Sequence, residues 1–238
     1  MLTKIFLVFL FNYSSYQQPQ SSLIPSNIKL KKVIIDKDSI KSRIEYINSK
    51  TPFQIDYTPL LEETIINYLE NRQSTYLELY SKSEYFFPIF ENALQKYNVP
   101  LELKYLPVIE SALNPRAKSR VGATGLWQFM FNTAKDLDLK VNSYVDERMD
   151  PIKSSEAAAK YLSELYARFN DWNLAIAAYN YGPGNIRRAI KASGYSNFWN
   201  LRGYLPKETA NYVPSFIATL YLFEFAHKHE IKKKTNEL

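Results

Sequence analysis

The chain has 238 residues, 46% of them hydrophobic and 15% aromatic, which is enough for one sizeable core and a small appended element. A formal charge of +6 and a pI near 9.2 suit a negatively charged partner, whether nucleic acid, an anionic membrane face or an acidic polymer. The absence of cysteine excludes disulfides, thiol nucleophiles, thiolate metal sites and lipidation at a Cys.

In chain order, Lys4 precedes a short apolar block, Ile5 to Phe11, too short to span a bilayer. With the polar turn that follows, residues 1–16 read as a secretory signal segment. Gln17 to Ser26 is polar and Pro-containing, as in a linker, and Lys29 to Lys50 gives only weak, mixed signals. From Thr58 the pattern firms: Thr58 can cap, Pro59 suits a first helical position, and Leu61, Ile65, Tyr68 and Leu69 recur at helical spacing. A second helix is predicted over Glu84 to Tyr97, and another from Pro100 to Asn114, where Pro115 closes it. Ser154 or Ser155 opens a long helix with Ala158, Leu162, Leu165 and Phe169 along one side. Asn173 to Asn180 is a shorter helix ended by GPG, and Glu208 to His227 is the last. No alternating run is long enough for a sheet, so the fold class predicted is all-α.

The two histidines, His227 and His229, read as solvated residues at the end of the last helix, next to a basic tail. A Ser-His-Asp machine would need its base from that end, so any chemistry falls to carboxylates. In LPVIESALNP, Glu110 stands alone among apolar residues. Leu103, Leu106, Glu110 and Leu113 follow steps of three, four and three, which places Glu110 in the apolar seam of its helix. Burial disfavours the charged carboxylate, so such a group can hold its proton near neutral pH and act as a general acid. Pro107 is expected to kink that helix just before Glu110. The alternative for Glu110 is a buried ion pair with Arg116 or Arg120.

Two further stretches carry polar groups among rings. In VGATGLWQFM, Gln128 can donate and accept, and Trp127, Phe129 and Met130 around it suit a wall for a sugar ring, a core role for the rings being the alternative. In AAYNYGPGN, Tyr179 and Asn180 precede a Gly-Pro-Gly turn and are expected at a helix end facing a groove.

The blocks ELKYLPVIESALNPRAKS, GATGLWQFM, VDERMDP, WNLAIAAYNYGPG and ETANYVPSF, in this order between Pro88 and Phe225, resemble the soluble lytic transglycosylase family, most closely its membrane-bound lytic transglycosylase D type. The resemblance implies a lysozyme-like all-α catalytic domain over residues 88–227, after a linker and helical extension at 17–87 and before a basic tail at 228–238. It implies Glu110 as the catalytic residue, and Ser111, Gln128, Met130, Tyr179, Asn180 and Tyr212 as substrate-binding residues. It implies peptidoglycan glycan strands as partner, an exported, envelope-associated protein, and no cofactor or metal.

In the reaction so implied, Glu110 protonates the oxygen joining N-acetylmuramic acid to N-acetylglucosamine. The oxocarbenium-like centre is stabilised by the sugar's own acetamido group and by Tyr212. Glu110 then takes the proton of the C6 hydroxyl, which closes a 1,6-anhydro ring without water. Ordinary glycosidases pair two carboxylates, and Asp146, Glu147 and Asp150 in VDERMDP are available as a partner, although loop-ordering and capping roles also fit them. Members of the subfamily often carry a lipid-attachment cysteine and C-terminal glycan-binding repeats, and neither is expected here. Tyr181 stands where the family usually has a small residue. The competing readings are a hydrolytic muramidase, a peptidoglycan-binding protein without chemistry, and a nucleic-acid binder resting on charge alone.

Overall fold

The computed structural model describes residues 36–229, and these are helical, with three isolated antiparallel bridges and no strand. The helices are α1 (Lys37–Lys50), α2 (Pro59–Asn71), α3 (Gln73–Lys96), α4 (Leu106–Ser111), α5 (Phe131–Asp136), α6 (Pro151–Phe169), α7 (Trp172–Tyr181), α8 (Pro183–Ser193), α9 (Phe198–Leu201) and α10 (Lys207–Phe225). The signal-like segment 1–16, the linker up to residue 35 and all but the first two residues of the tail lie outside the described residues.

Short polar side chains set half of the helix starts. Thr58 accepts from the Leu61 amide ahead of Pro59, as its sequence suggests. Asp150 accepts from the Ile152 and Lys153 amides, and Asp171 from Leu174, each such cap contributing about 1 kcal/mol. Helix α6 therefore opens at Pro151 rather than at Ser154 or Ser155. Those two hydroxyls turn back onto the Asp150 and Pro151 carbonyls. Helix α3 begins at Gln73, eleven residues before the predicted start, and runs through Pro88. Helices α1, α5, α8 and α9 had no predicted counterpart.

The expected helix from Pro100 to Asn114 is in fact two pieces. A 3₁₀ turn covers Leu101–Tyr105, and α4 starts afresh with Pro107 in its first turn. Proline has no amide to give to a preceding turn, and the first turn of a new helix asks for none, so it opens a helix here instead of kinking one. Helix α4 stops at Ser111, three residues before the predicted end, where Ala112 (φ 51°) and Leu113 (φ 56°) turn left-handed. The Leu113 amide reaches the Pro107 carbonyl at 3.3 Å and so closes α4 directly after Glu110 and Ser111.

Helix α7 forms the centre of the molecule. Every residue from Trp172 to Asn180 is buried, and Ala175, Ala177 and Ala178 let neighbouring helices come close. It packs between α6 and α10, and α10 also receives α2 and α4. The residues before α2 join the same core: Ile40, Ile44 and Ile47 of α1 are buried, and Phe53 lies 5.5 Å from Phe216 of α10. The Gln54 carbonyl accepts both from Asn173 of α7 and from the Trp199 indole, each at 2.7 Å. His229 departs from expectation. It is buried, and its Nε2 faces Arg43 of α1 at 2.7 Å and the Tyr221 hydroxyl at 2.9 Å, whereas His227 is exposed.

Candidate active site

Glu110 occupies the last turn of α4 and is 5% exposed, so its side chain does lie in the apolar seam even though the helix around it is shorter than expected. Its Oε1 accepts from the Tyr212 hydroxyl of α10 at 2.8 Å. Burial first, and then the charge of Glu110, push the Tyr212 phenol well above its ordinary range. The same two causes, in the same order, raise Tyr179. Both tyrosines are therefore neutral hydroxyl donors at any working pH, and Glu110 lies in the field that both sense. Arg116 and Arg120, the alternative partners for Glu110, are exposed.

Ser111 is buried beside Glu110, and its Oγ donates back to the Pro107 carbonyl at 3.0 Å, which leaves the oxygen's lone pairs as its means of meeting a ligand. Tyr179 of α7 donates to the Trp127 carbonyl at 2.7 Å and so ties the central helix to the loop of residues 117–130. Asn180 is buried as well, its Oδ1 accepting from Thr209 of α10 at 2.8 Å. Gly182, at φ 88°, is the single residue between α7 and α8: the Gly-Pro-Gly stretch is a joint, and Pro183 already belongs to the next helix.

The loop carrying Gln128 is a double turn. Thr124 and Phe129 exchange both backbone bonds at 3.1 Å, and the Gly125 amide reaches the Ala117 carbonyl at 2.9 Å. Gln128 sits at its tip with φ 48°, a conformation that is costly for a residue with a Cβ. Its Nε2 donates inward to the Gly125 and Ala117 carbonyls, which fixes the amide and turns its Oε1 into the available acceptor. Trp127 and Phe129 on either side are 0% exposed, so neither can stack on a sugar. Trp127 instead donates to Ser155 of α6 at 2.9 Å and meets Phe90 edge-on. Of that quartet only Gln128 and the half-buried Met130 remain for a ligand.

What holds this loop is the VDERMDP segment. Arg148 is buried, pairs with Asp146 at 2.7 Å, and donates from Nη1 to the Gly122 and Phe129 carbonyls. Gly125 packs so tightly on it that an added Cβ would lie 1.8 Å from the Arg148 carbonyl oxygen. The hydrogen bond from Arg148 holds the Asp146 carboxyl below its ordinary value. Lys153, followed by the Lys140 amide, does the same for Glu147. Groups held ionised in this way make poor proton donors, and Asp150 caps α6. Arg148 is the residue that sequence reasoning missed; its location in a run of acids gave no signal that it reaches a loop some twenty residues earlier. Among the described residues, no three His, Asp or Glu side chains converge as metal ligands, and no helix is long and apolar enough to cross a membrane.

One buried glutamate under a tyrosine, a rigid glutamine turn, and a Tyr-Asn pair at the end of a central alanine-rich helix make a distinctive set. Residues 87–202 match the model of the transglycosylase SLT domain. The chain carries an SLT domain. It is 32% identical over 197 residues to membrane-bound lytic murein transglycosylase D of Escherichia coli K12, covering 81% of this chain and 43% of that protein. It is 34% identical over 113 residues to membrane-bound lytic murein transglycosylase F of Pseudoalteromonas translucida, covering 43% of this chain and 23% of the other. The chain thus spans less than half the length of these curated relatives. The fold of the SLT domain and its flanking helices matches the 70 kDa soluble lytic transglycosylase of Escherichia coli, with a TM-score of 0.52 and 23% identity over 84% of this chain and 35% of that one. A 70 kDa soluble lytic transglycosylase in complex with bulgecin A gives a TM-score of 0.53 at 23% identity, over 80% of this chain and 34% of that one. The all-α, lysozyme-like architecture expected from the sequence is the one observed.

Proposed function

We propose that this protein is a peptidoglycan lytic transglycosylase in which Glu110 acts alone, first as acid and then as base. It protonates the oxygen between N-acetylmuramic acid and N-acetylglucosamine, and then takes the proton of the C6 hydroxyl as that oxygen closes the 1,6-anhydro ring. The observation that carries this reading is the division of labour among the carboxylates. Glu110 is buried under the Tyr212 hydroxyl, while Asp146, Glu147 and Asp150, the acids available as a partner, are committed to Arg148, to Lys153 with the Lys140 amide, and to the cap of α6. A hydrolase of the usual kind needs a second carboxylate to activate water or attack the sugar. A lone acid whose reaction consumes no water needs none.

In this reading Tyr212 keeps Glu110 oriented and supports the positive charge that develops on the sugar. Gln128 accepts from the strand through Oε1, Met130 lines the same wall, and Tyr179 and Asn180 close the far side. Ser111 contributes its lone pairs, and no cofactor takes part. The SLT domain, extended to residues 88–227, is the catalytic unit, with α1 and α2 before it packed against α10 as a brace. The relatives' names, membrane-bound lytic murein transglycosylase, together with the apolar block Ile5 to Phe11, support export to the cell envelope.

Mass spectrometry of fragments released from purified peptidoglycan tests the reaction. Muropeptides with 1,6-anhydromuramoyl ends, lighter by one water, are expected. Reducing ends would make the protein a muramidase, and binding without release would make it a wall-binding module.

A further inference from the structure

Thr209 lies in the first turn of α10 and is 1% exposed, and nothing in the reaction above uses it. A threonine in a helix commonly turns its hydroxyl back to the carbonyl four residues before it, as Thr64 does to Leu60 and Thr219 to Ser215. Thr209 instead donates across the helix interface to Asn180 Oδ1 at 2.8 Å. That bond decides which end of the amide is spoken for. The other end, Asn180 Nδ2, is buried and has no partner among the described residues, although buried amide donors are nearly always satisfied. Three residues further along α10, on the same face of the helix, Tyr212 donates to Glu110. The two hydroxyls, about one turn apart, thus present two groups from one rail: Tyr212 the carboxylate, Thr209 the amide.

We propose that Thr209 is a positioning residue. Its hydroxyl holds the Asn180 amide so that Nδ2 points into the site as a ready donor for an oxygen of the bound glycan strand, and the strand supplies the bond that the described residues lack. The proposal rests on the peptidoglycan reading for the identity of the ligand. It goes beyond that reading by assigning the orientation of Asn180 to Thr209.

The test compares Thr209→Val, which keeps the shape and removes the hydroxyl, with Thr209→Ser, which keeps the hydroxyl, and with Asn180→Ala and the Thr209→Val/Asn180→Ala pair. Muropeptide release is followed against peptidoglycan concentration for each. Thr209→Val should lower the rate at sub-saturating substrate about tenfold, the scale of one hydrogen bond, while Thr209→Ser stays within about threefold of the parent. In the background of Asn180→Ala, Thr209→Val should add nothing. A Thr209→Val protein as active as the parent, or a double variant whose loss is the product of the two single losses, overturns the proposal. Equilibrium binding of glycan strands to Glu110→Gln, with and without Thr209→Val, reads the same contact without turnover. Weaker binding with the valine supports the role of Thr209 even if the parent protein releases no muropeptides, an outcome that would sink only the proposed reaction. Unchanged binding overturns the role of Thr209.

Discussion

Helix α10 carries two buried tyrosines, Tyr212 and Tyr221, each with its hydroxyl against a titratable group. They are nine residues apart, about two and a half turns, and so face opposite sides of the helix. Tyr212 meets Glu110 at 2.8 Å. Tyr221 accepts from Arg43 of α1 at 3.0 Å and meets His229 Nε2 at 2.9 Å. The chemistry at the two ends differs in sign. At the Tyr212 end a neutral hydroxyl steadies the carboxylate that, in the proposed reaction, gains and loses a proton. At the Tyr221 end the Arg43 guanidinium can only donate, so His229 Nε2 must be an acceptor and the ring stays neutral. Burial, then Arg43, then His227 lower the His229 pKa to about 4. One end of the helix faces the glutamate proposed to transfer the proton, and the other works as a latch that holds α1 onto the turn at residues 226–229.

Four experiments break or sharpen this contrast. Glu110→Gln should fold normally and lower muropeptide release about 10³-fold, within the span of general acid–base catalysis; residual turnover within tenfold of the parent would place the acid elsewhere. Tyr212→Phe removes the hydrogen bond to Glu110, so catalytic efficiency should fall roughly 10- to 100-fold, with a stability loss of about 1–3 kcal/mol. The latch should respond to pH and not to substrate. The folded His229 ring binds its proton less tightly than the unfolded ring, whose ordinary value is 6.5. Between about pH 4 and 6.5 the unfolded chain therefore holds more protons, and stability is lost as the pH falls through that window. The loss should be about 1–2 kcal/mol, since solvent still screens part of the ring's charge, and it should vanish from the denaturation profile of His229→Gln. Tyr221→Phe should have the smallest effect, about 1 kcal/mol of stability with release rates within about twofold of the parent. A Tyr221→Phe variant that lost activity as Tyr212→Phe does would abolish the distinction between the two ends.

The two tyrosines also differ in how legible they are in the sequence. Tyr212 sits inside ETANYVPSF, a block with a recognisable counterpart, and Glu110 is conspicuous as a charge in an apolar seam. Tyr221 looks like any core tyrosine, and His229 reads as solvated because it lies between Lys228 and a glutamate, next to a second histidine and a basic tail. The burial of His229 depends on α1, whose own sequence carries only a weak helical signal. The quartet around Gln128 failed in the opposite direction. Aromatic rings next to an amide are consistent with both a sugar wall and a core, and only the packing of Trp127 on Phe90 and Ser155 decided for the core.

By itself the sequence determined what depends on neighbours along the chain. That includes helical periodicity, the Thr58 and Asp150 caps, the order of the blocks, and a glutamate with apolar residues one turn to either side. Tertiary structure decided what depends on partners far apart in sequence. Glu110 and Tyr212 are 102 positions apart, and Arg43 and His229 are 186 apart. The same holds for Thr209 turning to Asn180 and for Arg148 gripping the Gln128 loop. Local pattern reports which face of a helix is buried because burial repeats with the helix turn. It carries no record of which hydroxyl will meet which carboxylate, because that pairing is fixed only when the packed helices bring the two within hydrogen-bonding distance.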